Sequence, residues 1–276
     1  MSTTTTSRPL PLRAEVRRQL GRRRTRLSFG FLLLLPLLLV GAFALGDGDS
    51  DGGAPSFVDL AQVGPANLAV FALFASSSFL LVVLVALFAG DSVPSEASWS
   101  TLRYLLAAPV PRARLLRVKL AVAGLTSIAA LVLLPLWSLI VGWAAYGTSS
   151  YEGPTGEQLS WPQILARLGI VVVYLFVSLL FVAALAFFIG VLTDAPLGAV
   201  GGAVLITIVS NILDSITALG SLRQALPTHE QFAWADALQR DIAWSGMATG
   251  ALWSVAYAVV LTVAAFVLFE RKDVLS

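Results

Sequence analysis

Six long runs of apolar residues follow one another along the chain, separated by shorter polar segments. A helix of about 20 apolar residues is long enough to cross the hydrocarbon core of a membrane. The six runs are Leu27–Leu45, Pro65–Ala89, Leu120–Tyr146, Leu165–Leu192, Leu197–Ile216 and Met247–Phe269. Because lipid offers the backbone no hydrogen-bond partners, runs of this length are expected to be helices. The pattern therefore predicts an all-α integral membrane protein with six transmembrane helices.

Basic residues concentrate in three segments that six spans would place on one side of the membrane. The first 26 residues hold eight arginines, residues 90–119 hold five basic residues, and the C-terminal tail holds Arg271 and Lys272, which makes 15 of the 18. The loop after the first run, "GDGDSDGGAPSFVD", is acidic and has no Lys or Arg. Loops rich in Lys and Arg stay in the cytoplasm. The charge pattern thus predicts that both termini are cytoplasmic, in a bacterial inner membrane.

The basic N-terminal segment also has a helical pattern of its own. Leu12, Val16 and Leu20 recur at every fourth position, which predicts an amphipathic helix lying on the inner membrane surface. Arginines that would face lipid head groups are Arg13, Arg17, Arg18, Arg22, Arg23 and Arg24. The alternative is a basic tether without fixed structure. The predicted organisation is a cytoplasmic tail and amphipathic helix over 1–26, a transmembrane domain over 27–269, and a cytoplasmic tail over 270–276.

A cleavable signal peptide is a second explanation for the N-terminus. Arginines, an apolar run and Ala42-Phe43-Ala44 have the order of such a signal. However, the apolar run is long and rich in Leu, and five more runs follow it. A retained first span is therefore the prediction.

Composition excludes several kinds of chemistry. The chain is 57% hydrophobic and 12% charged, with no Cys, one His and two Met, so it offers little for a metal site. It contains no phosphate-binding loop, no nucleophile elbow and no His-Glu-x-x-His pair. No catalytic residue, bound cofactor, metal or nucleic-acid partner is therefore predicted for this chain.

The apolar runs hold few polar side chains, and these have two explanations. Ion-coupled carriers usually bury ionisable residues near the middle of the membrane. Here Asp214 is the nearest candidate, and its place near the end of a run predicts an interfacial residue rather than an ion ligand. The serines Ser76–Ser78 could line a transport path or join helices by hydrogen bonds.

The segment between the second and third runs, "GDSVPSEASWSTLRYLLAAPVPRARLLRVK", is charged and marked by prolines. A short helix at the inner membrane face is predicted over about 91–109, with Asp91 or Ser92 as its cap, Pro94 in its first turn and Pro109 at its end. Its apolar stripe is Trp99, Leu102 and Leu106, flanked by Glu96 and Arg103. The segment could be a stiff element that passes movement to the spans, or an ordinary basic loop.

The same segment resembles the signature of permease subunits of ABC transporters, of the type-2, exporter-like branch. The matching positions are Gly90, Asp91, Glu96, Thr101, Leu102, Arg103, Leu105, Leu106, Pro109, Val110, Arg112 and Lys119. Ser100 and Pro94 depart from the pattern, but neither removes a charge. The basic amphipathic start, the six runs and the terminal "FERKDVLS" are similar to that family as well.

The resemblance implies a mechanism in which two permeases, here two copies of this chain, pair with two separate ATP-binding subunits. ATP and Mg would bind to the partner, and the 91–109 helix would couple its movement to the spans. By position, Glu96, Arg103 and Arg112 would make the polar contacts and Trp99, Leu102 and Leu106 the apolar ones. Residues 217–246, rich in aromatics, would form a re-entrant or interfacial helix pair outside, either as a gate or as an anchor in the head-group layer.

Two other functions are compatible with the same sequence. One is an ion-coupled secondary transporter, which would need a buried ionisable residue in its spans. The other is a non-transporting membrane anchor or sensor that recruits a cytosolic protein, for which a basic amphipathic loop would serve equally well.

Overall fold

The computed structural model of the protein describes residues 12–46, 56–94, 112–193 and 195–271. Five of the six predicted coupling residues, Glu96, Trp99, Leu102, Arg103 and Leu106, lie outside the described residues. Arg112 is the first residue of a helix. The structure therefore describes the chain directly before and directly after the predicted coupling helix.

Nearly all of the described chain is helical. The α-helices are α1 Leu12–Gly21, α2 Arg23–Leu45, α3 Phe57–Ala61, α4 Pro65–Ser77, α5 Leu80–Gly90, α6 Arg112–Tyr146, α7 Trp161–Ser178, α8 Leu180–Thr193, α9 Pro196–Ser215 and α10 Trp244–Arg271. A two-stranded antiparallel hairpin, β1 Tyr151–Glu152 and β2 Gln158–Leu159, lies between α6 and α7. Two 3₁₀ helices, Thr217–Ala225 and Ala233–Leu238, lie between α9 and α10.

Five helical segments are long and apolar enough to cross a membrane. Four are the single helices α2, α6, α9 and α10, and the fifth is α7 continued by α8. The pair α4 and α5 passes the same test together but is bent by 60° at the break, so it could form a sixth span. The predicted class, a helical multi-pass membrane protein, is confirmed at this level.

The bend between α4 and α5 lies at the serines that the sequence analysis left with two explanations. The Ser76 hydroxyl donates to the Ala72 carbonyl at 2.6 Å, and the Ser77 hydroxyl donates to the Phe74 carbonyl at 3.1 Å. Hydroxyls that bond back to their own helix in this way often bend it. Ser76 and Ser77 thus bond within their own helix rather than across to a neighbour.

The helices run back and forth between two ends of the bundle. At one end, named here the arginine end, Arg22, Asp91 and Lys119 lie close to one another and to the end of α8. At the opposite end, the hairpin end, β1–β2 and the two 3₁₀ helices cover the helix termini. The helix α10 begins at the hairpin end, where Gly246 lies beside Glu230. Both α1 and the last turn of α10 are therefore at the arginine end.

Burial separates a central group of helices from a peripheral one. In the most apolar part of α7 and α8, 56% of residues are buried, against 17% in α2 and in α10. Peripheral helices expose large apolar side chains, such as Leu205 on α9 at 61% and Val260 on α10 at 67%. Such surfaces are unfavourable in water and match lipid or another apolar surface.

Two segments differ from the predicted secondary structure. The helical pattern over 12–26 is interrupted at Arg22, whose ψ of 134° is extended, so α1 and α2 are separate helices. Between α9 and α10 the structure has two short 3₁₀ helices in place of the implied helix pair, and Gly220 breaks the first with a φ of 53°. A positive φ is open to Gly at little cost and ends a regular helix there.

Candidate functional site

A buried carboxylate joins the N-terminal helices to the start of the predicted coupling segment. Asp91 follows α5 directly, and its side chain is 7% exposed. The Arg22 guanidinium donates to Asp91 Oδ2 and the Arg24 guanidinium to Asp91 Oδ1, both at 2.9 Å. Charge-assisted bonds of this length are strong, because both partners are ionised. The chain therefore enters residues 95–111 from a point that is fixed to α2.

A second ion pair joins α1 to α6 on the other side of the same segment. Lys119 Nζ lies 3.1 Å from Glu15 Oε1, and their side chains are 2% and 9% exposed. Arg18, one turn further along α1, lies 3.8 Å from the same carboxylate. A pair this deeply buried is costly to break, since removing one partner leaves the other charge in a low-dielectric site. It therefore holds α1 firmly against the first turns of α6.

This attachment orients the amphipathic helix. Glu15 and Gln19, four residues apart, are 7% and 5% exposed and face the protein. Leu12 and Leu20 are 43% and 46% exposed, and Val16 between them is partly buried. The apolar stripe thus flanks the buried face of α1, since Leu12 lies about 60° and Leu20 about 140° around the helix from Glu15.

Glu15 and Gln19, which attach α1 to the rest of the protein, were not predicted from the sequence. The signal was available, because Glu15 is the only acidic residue in an arginine-rich segment and Gln19 lies one turn later on the same face.

The six arginines predicted to face lipid head groups divide into two sets. Arg22 and Arg24 bind Asp91, and Arg18 lies near Glu15, so these three contribute to internal ion pairs. The side chains of Arg13, Arg17 and Arg23 are exposed.

The predicted capping residues have other partners in the described structure. The Asp91 carboxylate accepts from the two arginines, and the Ser92 hydroxyl donates to the Ala89 carbonyl at 2.6 Å. Both side chains therefore hold the end of α5 in place. Sequence spacing could not reveal this, because Arg22 and Arg24 lie 69 and 67 positions away.

The end of α5 packs against α8 and α9 without a gap. A Cβ built on Gly190 would lie 3.0 Å from the Gly90 carbonyl oxygen and 3.2 Å from Pro94 Cγ. A Cβ on Gly90 would lie 3.2 Å from Ala199 Cβ. Packing this close transmits displacement, since protein interiors are nearly incompressible. Movement of Pro94 would therefore reach both α8 and α9.

At the hairpin end, side chains of the long helices hold the segment that contains the 3₁₀ helices. Arg167 of α7 donates to the Ala237 and Arg240 carbonyls at 3.0 and 3.2 Å. The Tyr257 hydroxyl of α10 donates to the Ala225 carbonyl at 3.0 Å. The segment is thus fixed to the first half of α7 and, through Tyr257, to the middle of α10.

Asp214 is engaged at this end as well. It lies in the last turn of α9, hydrogen-bonded to His229 Nδ1 and 3.6 Å from Arg223 Nε. Its place at the end of the helix agrees with the interfacial role predicted for it. Over the described ranges, no group of three His, Cys, Asp or Glu side chains could hold a metal ion.

The fold and the site together define a helical multi-pass membrane protein. At its arginine end lies an ion-paired frame, formed by Asp91 with Arg22 and Arg24 and by Lys119 with Glu15. Residues 38–275 match the family described as "Protein of unknown function (DUF2705)", and the chain belongs to this family. No curated protein matches the sequence.

Proposed function

We propose that this chain is the permease subunit of an ATP-driven ABC exporter, energised by a separate ATP-binding subunit. In this proposal α4 and α5 form one bent span, so that the chain has six spans with both termini in the cytoplasm. The arginine end is the cytoplasmic end, because it carries most of the basic residues. The protein is a homodimer in the bacterial inner membrane, and it exports a lipid-like or amphiphilic cargo.

The single observation that carries the proposal is the pair of buried ion-paired anchors on either side of residues 95–111. Asp91 is tied to α2 before this segment, and Lys119 is tied to α1 after it. A partner that pressed on the segment would act on fixed points, so the force would move helices rather than stretch a loop. An ordinary cytoplasmic loop has no need of two such anchors.

The tight contacts of α5 provide a route by which force could pass from residues 95–111 to other helices. Force on residues 95–111 would pass through Pro94 to Gly190 of α8 and through Gly90 to Ala199 of α9. On the other side it would pass into α6, which is one continuous helix of 35 residues from Arg112 to Tyr146. In this proposal, relative movement of these helices opens the path for the cargo.

The ATP-binding partner would supply the chemistry, with ATP and Mg bound in its own site. This chain's residues would supply docking: Glu96, Arg103 and Arg112 orient the contact by charge, and Trp99, Leu102 and Leu106 contribute most of the binding energy. A small interface usually divides the work in this way.

Co-purification with an ATP-binding subunit, sought first among the genes that neighbour this one, tests the docking. We expect Glu96→Ala and Trp99→Ala to reduce the recovered ATPase by roughly tenfold or more, which is the effect of losing one central contact. Tyr104→Ala is the matched control, because the helical spacing predicted from the sequence puts position 104 about 140° around from Trp99. Equal recovery in all three variants would contradict the docking role.

Flux measurements test the energy source. Vesicles that hold only this chain and its ATPase should move cargo when ATP is supplied inside the compartment that contains the ATPase. Transport driven by a proton or sodium gradient without the ATPase would instead identify a secondary carrier. ATPase recruitment with no flux would identify an anchor.

A further inference from the structure

A cavity of about 530 Å³ lies at the hairpin end, away from the ion-paired frame. It is a partly open cavity lined by α3 and α4, the β1–β2 hairpin and the second 3₁₀ helix. Cavities of roughly 300–1,000 Å³ are typical of small-molecule sites in proteins. The proposed coupling function makes no use of this cavity.

Aromatic rings make up much of its wall. Phe57, Phe74, Tyr151 and Trp234 line it, with Val70, Pro154 and Leu238 between them. Trp234 and Tyr151 are only 1% and 3% exposed, so their positions are fixed by packing. The Phe57 and Phe74 rings meet edge to face with centroids 4.9 Å apart. The buried rings therefore form a fixed base, and the accessible aromatic surface belongs to Phe57 and Phe74, which are 39% and 42% exposed.

Among the residues that the structure describes, the lining contains one carboxylate and no basic residue. That carboxylate belongs to Glu157, in the turn region of the hairpin. The Thr155 side chain and the backbone amides of residues 155 and 157 hydrogen-bond to it, which holds the pKa of Glu157 below its usual value. Burial, with the nearby Glu157 charge, raises the pKa of Tyr151 to about 12. At neutral pH the lining therefore carries one negative charge.

The Glu157 carboxylate is also held close to the backbone. A Cβ on Gly153 would lie 2.6 Å from Glu157 Oε2, so Gly leaves room for the side chain there. Of the other polar residues in the wall, Gln239 donates to Asp236 at 3.1 Å.

A single anion among aromatic faces selects one class of ligand. An organic cation with an apolar body would pair with the carboxylate and lie against ring faces, which attract cations. A neutral apolar ligand would exclude water from the Glu157 carboxylate without supplying a counter-charge, which is unfavourable. An anion would be repelled by it. We propose that this cavity is a binding site for a lipophilic organic cation, with Glu157 as the counter-charge and Phe57 and Phe74 as aromatic contacts.

Binding of tetraphenylphosphonium tests the proposal without any ATPase, so its outcome is independent of the coupling function. The full chain is placed in lipid nanodiscs, and binding of the radiolabelled cation is measured by equilibrium dialysis against empty nanodiscs. We expect saturable binding to the protein. The neutral triphenylphosphine oxide should compete only weakly, because it has no charge to pair with Glu157.

Two variants identify the residues involved. Glu157→Gln should weaken binding by about fivefold or more, through loss of the charge pair. Phe74→Leu should weaken it roughly two- to thirtyfold, since the apolar volume stays while the ring face is lost. Glu152→Gln is the matched control: the same change in the same hairpin, at a residue outside the cavity wall. It should bind as the unaltered chain does.

Three results would overturn the proposal. They are no saturable binding above empty nanodiscs, equal competition by the neutral compound, or equal affinities of Glu157→Gln and Glu152→Gln. Thermal unfolding of each variant shows whether it is folded, and Phe74→Leu gives a second answer if Glu157→Gln is not.

Discussion

Single residues at the arginine end decide how the N-terminal segment is attached. Glu15 is one acidic residue among arginines, and it is the only described residue of α1 that forms a buried ion pair with Lys119. The arginines around it are mostly exposed. An exposed ion pair contributes little to stability, whereas a buried one is costly to break. One carboxylate therefore matters more to the folded state than most of the charges beside it.

We expect Glu15→Gln to lower the free energy of unfolding by about 3–5 kcal/mol, because the Lys119 ammonium loses a buried counter-charge. The measurement is thermal unfolding of the protein purified in detergent. Arg18→Ala is the control, since Arg18 is 45% exposed on its side chain and 3.8 Å from the carboxylate. It should change stability by about 1 kcal/mol or less.

Replacing both partners gives a sharper result. Glu15→Gln combined with Lys119→Met should be more stable than Glu15→Gln alone, since the second substitution removes the ammonium whose Glu15 counter-charge is lost. A double variant as unstable as the single one would mean that the uncompensated Lys119 charge is not what destabilises Glu15→Gln.

At the scale of helices, close backbone approach fixes how α5 meets α8. Gly190 lies against the Gly90 carbonyl and the Pro94 ring, with no room for a side chain. Small residues allow this approach in membrane helices, where van der Waals packing drives association. The contact is also the one through which we propose that force reaches α8.

Gly190→Ala should destabilise the protein by about 1–3 kcal/mol, because the added Cβ meets a backbone oxygen that cannot rotate away. Gly169→Ala is the matched control within α7, where a Cβ has nothing within 4 Å. It should be neutral or slightly stabilising, since Ala favours a helix more than Gly does. Thermal unfolding compares the two, and equal shifts would show that the α5–α8 contact is not tight.

For the whole molecule, the proposed topology places the two ends of the bundle on opposite sides of the membrane. The chain has no Cys, so single cysteines can report on each side. Gln158→Cys on the hairpin should react with a membrane-impermeant maleimide on intact cells. Arg17→Cys on α1 should react only after the cells are permeabilised. Labelling of Arg17→Cys in intact cells would reverse the orientation that basic residues predict.

The helical membrane class followed from sequence because it depends on composition and length. Each apolar run from Leu27–Leu45 to Met247–Phe269 contains a helical segment of the structure. Lipid leaves the backbone little choice other than a helix, so the prediction needs no tertiary information. The bend at Ser78 was not predicted, because a run of serines is compatible with a straight helix until the neighbours are known.

The sequence by itself determined the class of fold, the positions of the long helices and the pattern of charge at their ends. Only the tertiary structure decided that Asp91 pairs with Arg22 and Arg24, that Lys119 pairs with Glu15, and that four aromatic rings and Glu157 line one cavity. The difference arises from how far apart in the sequence the interacting residues are. Helix formation and membrane insertion depend on neighbours within about 20 residues. The ion pairs, by contrast, join residues that are 67 to 104 positions apart.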